Sequence, residues 1–304
     1  MQLRDLVSKG ARRLLRLAVK SVELPYLAAR SSGPVRARLD AQAQALSAGE
    51  PLGLSPEGRR VLEALRRDGI ATTSIRELYP AFDTREFVDY ARELDRRGVV
   101  GRKKSFLKFL WPEDKLQLPL ESPFIKLALS GPSIDSVRSY LGCAPRLRFV
   151  SLNTTLPVPA DSPAVASQRW HRDPGLGRIL KIFVYASDVD ERAGPFTYVR
   201  GSHGGGRYES LFPATRFGRE GSYPAPGAVE AAVDPRDIFS ATGTAGSVIF
   251  CDTLGLHRGG YATHQERIMF TAHFERPSGF DERRYRLPEK LPALTPLARF
   301  AIGE

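Results

Sequence analysis

Gly246-Ser247-Val248-Ile249-Phe250-Cys251-Asp252, a turn, His257, and then Arg267-Ile268-Met269-Phe270-Thr271-Ala272-His273-Phe274 set the character of the chain's second half. Both runs are short, rich in β-branched and aromatic residues, and bounded by Gly and polar turn residues, which is the signature of strands. Similar runs precede them at Leu147–Leu152, Ile179–Tyr185 and Phe196–Val199, with Gly, Pro and Asp between. From about 146 to 276 this spacing predicts an antiparallel sandwich or barrel. The stretch from about 204 to 245 carries no such pattern and reads as mostly irregular. A long insertion in a compact domain is usually a functional loop or lid, so it is expected to contribute to substrate choice.

Upstream the periodicity is helical. Patterns at about 57–68 and 84–97 end in Arg66-Arg67-Asp68-Gly69 and Arg96-Arg97-Gly98. Cations near the negative end of the helix dipole, then Gly, mark a helix stop, so these basic pairs read as caps rather than a nucleic-acid patch. A further helix is predicted at about 122–141. Residues 31–56, rich in Ser, Gly, Pro and Ala, read as a linker. Residues 1–24 read as a basic amphipathic helix, which either packs on its own protein or makes peripheral contact with an anionic membrane. The expected organisation is an N-terminal basic helix and linker (1–56), then a single domain (57–304). That domain divides into helices at about 57–141, a β core at about 146–276 and a C-terminal extension at 277–304.

The 304 residues are 42% hydrophobic and 26% charged, values that permit a packed core and argue against disorder. The net charge of +11 is uneven, since Arg4, Lys9, Arg12, Arg13, Arg16 and Lys20 face only Asp5 in the first twenty residues. No groove-reading motif accompanies that charge, so no nucleic-acid partner is expected. Cys143 and Cys251 have no zinc-like or disulfide-framework spacing, and a cytoplasmic, reduced setting is the expectation. No apolar run is long enough to span a bilayer.

The five histidines, His171, His203, His257, His264 and His273, carry the chemistry. In Gln168-Arg169-Trp170-His171-Arg172-Asp173, His171 and Asp173 lie two apart, so an extended backbone turns both to one side. A lone His-x-Asp arises easily by chance. With His257 it completes two imidazoles and one carboxylate, the facial triad of non-haem iron oxygenases. Three coordination positions then stay open, two for a chelating 2-oxo acid and one for dioxygen. Arg267 follows His257 by ten residues and shares a strand face with Met269, Thr271 and His273. A buried Arg needs an anion. That anion is either the distal carboxylate of 2-oxoglutarate or a protein carboxylate such as Glu275. Between the halves of the triad, Asp188 to His203 supplies a Gly194-Pro195 turn, a short strand and a Gly201-Ser202-His203 corner.

Together these elements resemble the phytanoyl-CoA dioxygenase family. Its pattern is Trp-His-x-Asp, an Asn/Ala-Gly-Pro turn leading to Gly-Ser-His, a distal His, and an Arg about ten residues on. The match is Trp170 to Asp173, Ala193 to His203, His257 and Arg267, within about residues 120–276. The resemblance implies a mainly β fold with flanking α, its core a double-stranded β-helix of the jelly-roll or cupin-like kind. It implies Fe(II) on His171, Asp173 and His257, with 2-oxoglutarate on Arg267, O2 as oxidant and a small-molecule, lipid-like or natural-product substrate. Halogenating relatives lack the metal carboxylate, so Asp173 points to hydroxylation or a related oxidation.

Four further residues are candidates for the co-substrate pocket. In Lys181-Ile182-Phe183-Val184-Tyr185, Lys181, Phe183 and Tyr185 alternate with two aliphatics, and either set could face the cavity. Phe183 sits where the family often has an aromatic beside the 2-oxo acid. Asn153 could bond that acid or form a turn. Gln168, with Trp170, could shape the pocket. His203 reads as a structural corner, His264 as exposed, and His273 as bordering the site or as a core histidine. The competing reading is a catalytically idle, cupin-like binding protein.

Overall fold

The computed structural model describes residues 33–98, 101–104, 106–111, 117–174, 178–213, 223–277, 285–288 and 292–304. The helix expected at 1–24 lies outside them. Among the described residues, ten strands form two antiparallel sheets: β1 (Ile70–Ser74), β2 (Gly101–Lys104), β3 (Leu107–Phe109), β4 (Arg146–Thr155), β5 (Ile179–Tyr185), β6 (Phe196–Val199), β7 (Ile238–Ala241), β8 (Ser247–Asp252), β9 (His257–Arg258) and β10 (Arg267–Glu275). The larger sheet runs β1-β8-β5-β10-β4-β3-β2 and the smaller β7-β6-β9. The antiparallel sandwich or barrel expected from the strand pattern is thus present, in the jelly-roll, double-stranded β-helix form that the family resemblance implied.

The alternation along β10 and β5 divides the molecule. Ile268, Phe270, Ala272 and Phe274, with Leu180, Ile182 and Val184, face a core that also holds helical residues. Phe270 lies 5.1 Å from Phe124 and 5.8 Å from Trp111, ring to ring. The opposite face packs at one end on the smaller sheet, where Phe183, Tyr185, Ile249 and Cys251 meet Phe196, Tyr198 and Ala241. Arg267, Met269, Thr271 and His273 from that same face line a cavity of about 570 Å³. Residues i and i+2 share a face of a strand, so a single strand supplies both core and pocket.

Helices cover the first face: α1 (Gly33–Gly49), α2 (Pro56–Asp68), α3 (Ile75–Leu78), α4 (Thr84–Arg97), α5 (Pro123–Ala128) and α6 (Gly131–Leu141), with α8 (Pro296–Ala301), whereas α7 (Ala228–Ala232) packs through Val229 with Trp170, Val199 and Leu256. In α2, Ser55 caps Gly58 N–H, Pro56 opens the first turn, and Gly69 at φ +78° closes the helix. Val61, Leu62 and Leu65 form its buried stripe. Arg66 and Arg67 occupy its last turn, as expected of caps.

Three expectations need correction. The helix at 122–141 is two helices, α5 and α6, because Ser130-Gly131-Pro132 starts a new N-terminus. The linker at 31–56 contains α1, in which Ala43 is buried and Leu46 packs half-buried against the core. The insertion at 204–245 is less irregular than expected, since it holds α7 and β7, and β7 pairs with β6. The two cysteines are free and buried. Among the described residues no helix is long and apolar enough to cross a membrane.

Candidate metal and co-substrate site

His171 and His257, 86 positions apart in sequence, are partners in an isolated antiparallel bridge. Each backbone N–H donates to the other's carbonyl at 2.9 Å. Asp173 N–H donates to Thr253 O, also at 2.9 Å. The three potential ligand atoms thus converge, all within 4.8 Å of one another. The imidazole rings stand 4.2 Å apart and tilted by 50°. His257 Nε2 lies 3.9 Å from Asp173 Oδ2.

The tautomers follow from the neighbours. His171 Nδ1 is 2.9 Å from Arg169 O, and His257 Nδ1 is 2.9 Å from Gly255 O. A carbonyl only accepts, so each Nδ1 carries a proton, and Nε2 is the ring atom through which each histidine would hold a metal. Burial, reinforced by neighbouring His171, pushes the His257 pKa down to about 3, so this imidazole is neutral at physiological pH. Burial works against the Asp173 carboxylate, but the Lys181 ammonium at 2.5 Å outweighs it and holds the carboxyl well below the ordinary range.

Arg267 is only 3% exposed. It donates from Nη1 to Gly194 O at 2.5 Å and from Nη2 to Thr155 Oγ1 at 3.2 Å, while its Nε has no partner. Burial lowers its pKa. No carboxylate among the described residues pairs with it. Glu275 lies with Arg148 at 3.3 Å and His273 at 2.8 Å instead. Gly194 has φ +69°, and a Cβ there would sit 2.6 Å from Ala262 N, so only glycine lets this turn present its carbonyl to the guanidinium.

Lys181 and Phe183 line the cavity, as does Asn153. Phe183 packs on Phe196 at 4.6 Å, and Phe196 on His257 at 5.5 Å. Asn153 Nδ2 donates to Ser151 Oγ at 3.1 Å, and its Oδ1 is buried without a partner. Gln168 must be corrected: it lies outside this cavity, and backbone groups claim its amide, with Nε2 donating to Gly260 O and Oε1 accepting from Val165 N–H, both at 3.0 Å. Trp170 is a packed residue whose Nε1 donates to Glu230 Oε1 at 2.8 Å. His203 meets Arg66 O at 3.2 Å, His264 is exposed, and His273 lines the cavity.

Sequence reasoning missed Arg172 and Tyr223. Tyr223 belongs to the long insertion and lines the cavity, its ring 6.0 Å from that of His171. Arg172, between the first two triad residues, donates to six carbonyl oxygens, those of Ser202, Tyr208, Glu209, Leu211, Phe212 and Leu254. It ties the insertion and the turn before His257 to the His-x-Asp segment. No side-chain pattern encodes a residue that works through carbonyls, although its place between two ligands was a hint. A lysine has one donor nitrogen and cannot fan across six acceptors. Arg172→Lys should therefore cost about 2–4 kcal/mol of stability and weaken divalent-metal uptake roughly 10-fold to 100-fold, read by thermal melts and metal titration. Unchanged metal affinity would mean that the fan serves only the loop.

Solved structures share this architecture. SnoN, a non-haem α-ketoglutarate-dependent epimerase from nogalamycin biosynthesis, superposes with TM-score 0.50 at 20% identity, covering 72% of this chain and 82% of that one. Its complex with Fe3+, α-ketoglutarate and nogalamycin RO gives TM-score 0.50 at 18% identity, over 72% and 83%. EctD from S. alaskensis with bound Fe gives TM-score 0.50 at 18% identity, over 83% and 85%. No family model matches the chain, and no curated protein matches it by sequence. The likeness is one of fold: this chain has the double-stranded β-helix on which non-haem iron, 2-oxoglutarate-dependent enzymes are built.

Proposed function

We propose that the chain is an Fe(II)- and 2-oxoglutarate-dependent oxygenase of the phytanoyl-CoA dioxygenase type, hydroxylating or otherwise oxidising a small molecule. The observation that carries this reading is Arg267, a buried guanidinium without a carboxylate partner among the described residues, on the same cavity as a convergent His/Asp/His set. An unpaired buried cation is costly, and a dicarboxylic co-substrate supplies its missing partner.

The residues present fit the groups. Two imidazoles, that of His257 held neutral by burial, and one ionised carboxylate match a facial triad with open positions. When bound, iron and 2-oxoglutarate supply oxidation by O2 with release of succinate and carbon dioxide. His171, Asp173 and His257 hold the metal. Arg267 clamps the distal carboxylate through a fork of donors. Phe183 and Phe196 exclude water beside it. 2-Oxoglutarate accepts hydrogen bonds and donates none, so Asn153 meets it only with its amide nitrogen turned inward. SnoN and EctD, each solved with iron bound, support the assignment through fold alone.

The test is anaerobic titration of the metal-free protein with Fe(II), then 2-oxoglutarate. One equivalent of Fe(II) should bind, and the second addition should raise a visible metal-to-ligand charge-transfer band. A folded protein without that band would favour the idle binding-protein reading.

A further inference from the structure

We propose that Lys181 is the anchor for a negatively charged group, a carboxylate or phosphate, on the substrate, and that metal loading frees it for this task. The inference rests on the metal-site reading above and extends it to the class of substrate.

Lys181 Nζ lies 2.5 Å from Asp173 Oδ2, the same oxygen that faces His257 Nε2 at 3.9 Å. The ammonium therefore holds the carboxylate oxygen that closes the triad, at ion-pair distance but without hydrogen-bond alignment. A divalent cation on that oxygen would sit within a few ångströms of the ammonium, and two like charges so close in a cavity repel. Lys181 must then turn away.

It has little else to turn to. Its side chain is 12% exposed. Its nitrogen lies 5.6 Å from the Phe149 ring. The other nearby carboxylate, Glu275, already serves Arg148 and His273. His273, opposite Lys181 in the β5–β10 register, lines the same wall and is 93% enclosed, with Nδ1 lacking a partner. Elsewhere on the lining, Arg258 is paired with Glu230 at 3.0 Å, and the Arg172 donors are taken by carbonyls. Among the described residues, with metal and co-substrate in place, the divalent ion, Lys181 and Arg267 outweigh Asp173 and dianionic 2-oxoglutarate by at least one positive charge, and Arg172 adds to the excess. An enclosed excess charge beside the reacting centre selects an anionic ligand.

The experiment uses the full chain loaded with Co(II) and saturating 2-oxoglutarate, as wild type, Lys181→Met and Lys181→Arg. Calorimetry reads Co(II) and 2-oxoglutarate affinity. Paramagnetic broadening of inorganic phosphate (³¹P) and of labelled acetate (¹³C) reads anion binding near the metal, and the two probes tell a phosphorylated from a carboxylated substrate. Lys181→Met should take up Co(II) about tenfold more tightly, because the ammonium no longer competes for Asp173. Saturable broadening of at least one anion in wild type should weaken about tenfold or more in Lys181→Met and return in Lys181→Arg. Equal broadening in wild type and Lys181→Met would place the anion on the metal and overturn the proposal. No saturable broadening in wild type would overturn it too, as would a Lys181→Met change that weakens 2-oxoglutarate and leaves the anions alone. A folded wild-type chain that binds no Co(II) would instead sink the metal-site reading itself.

Discussion

Arg267→Met should lower 2-oxoglutarate affinity about 100-fold to 1000-fold while leaving the metal-free protein within about 5 °C of the wild-type melting temperature. The two halves of this expectation have one cause. In the metal-free chain the guanidinium is buried, donates to Gly194 O and Thr155 Oγ1, and has an orphaned Nε. Its removal forfeits two hydrogen bonds and relieves an uncompensated charge, terms of similar size and opposite sign. With the co-substrate present the balance changes, because a bidentate, charge-assisted pair is lost outright. Calorimetric titration of the Fe(II) form and a thermal melt of the metal-free form read the two effects. A large fall in melting temperature with little change in 2-oxoglutarate affinity would make Arg267 a structural brace for the Gly194 turn.

His257→Ala should abolish tight metal uptake, by at least about 100-fold, and leave the fold intact. Loss of a ligand removes one of only three protein donors. The bridge to His171 is made by backbone atoms and survives the change. His203→Ala, His264→Ala and His273→Ala should each retain stoichiometric uptake, since none of these rings belongs to the convergent set. Acid should separate the wild type from the variant as well. His257 titrates near 3 when folded against an ordinary 6.5, so between these values the unfolded chain binds more protons and metal-free stability falls as pH drops. The variant should lose less stability across that window. Equal acid slopes, or metal bound tightly without His257, would contradict the assignment.

The sequence carried the β core clearly because its strands alternate. Ile179–Tyr185 and Phe196–Val199 have the expected bounds, and β10 extends the expected run by one residue. The two faces of β10 divide between core and cavity as the period of two requires. Asp173 and His257 were legible because chemistry restricts which residues can bind a metal, and their convergence with His171 follows from one bridge. Other elements left no local trace. Ile70-Ala71-Thr72-Thr73-Ser74 directly follows a helix stop and reads as its exit, yet it pairs along β8 as an edge strand. Gln168 sits three residues before His171 and looked like a pocket residue, but long-range backbone groups decide where an amide points. Arg172 was invisible because its six acceptors come from segments remote in sequence.

The bridge between His171 and His257 would set how the proposed site handles a cation. Two donors that share one rung of a ladder, with the third tied to Thr253 by its own backbone, inherit the stiffness of the sandwich. The ordering entropy of the site is spent during folding, so ions can exchange without the chain opening. A cradle of imidazoles and a carboxylate discriminates weakly among first-row divalent ions, whose affinities follow their own intrinsic order. Which ion the proposed site takes would then be decided by what its surroundings supply, and stripping and reloading by chelation would be a reversible operation on a rigid scaffold.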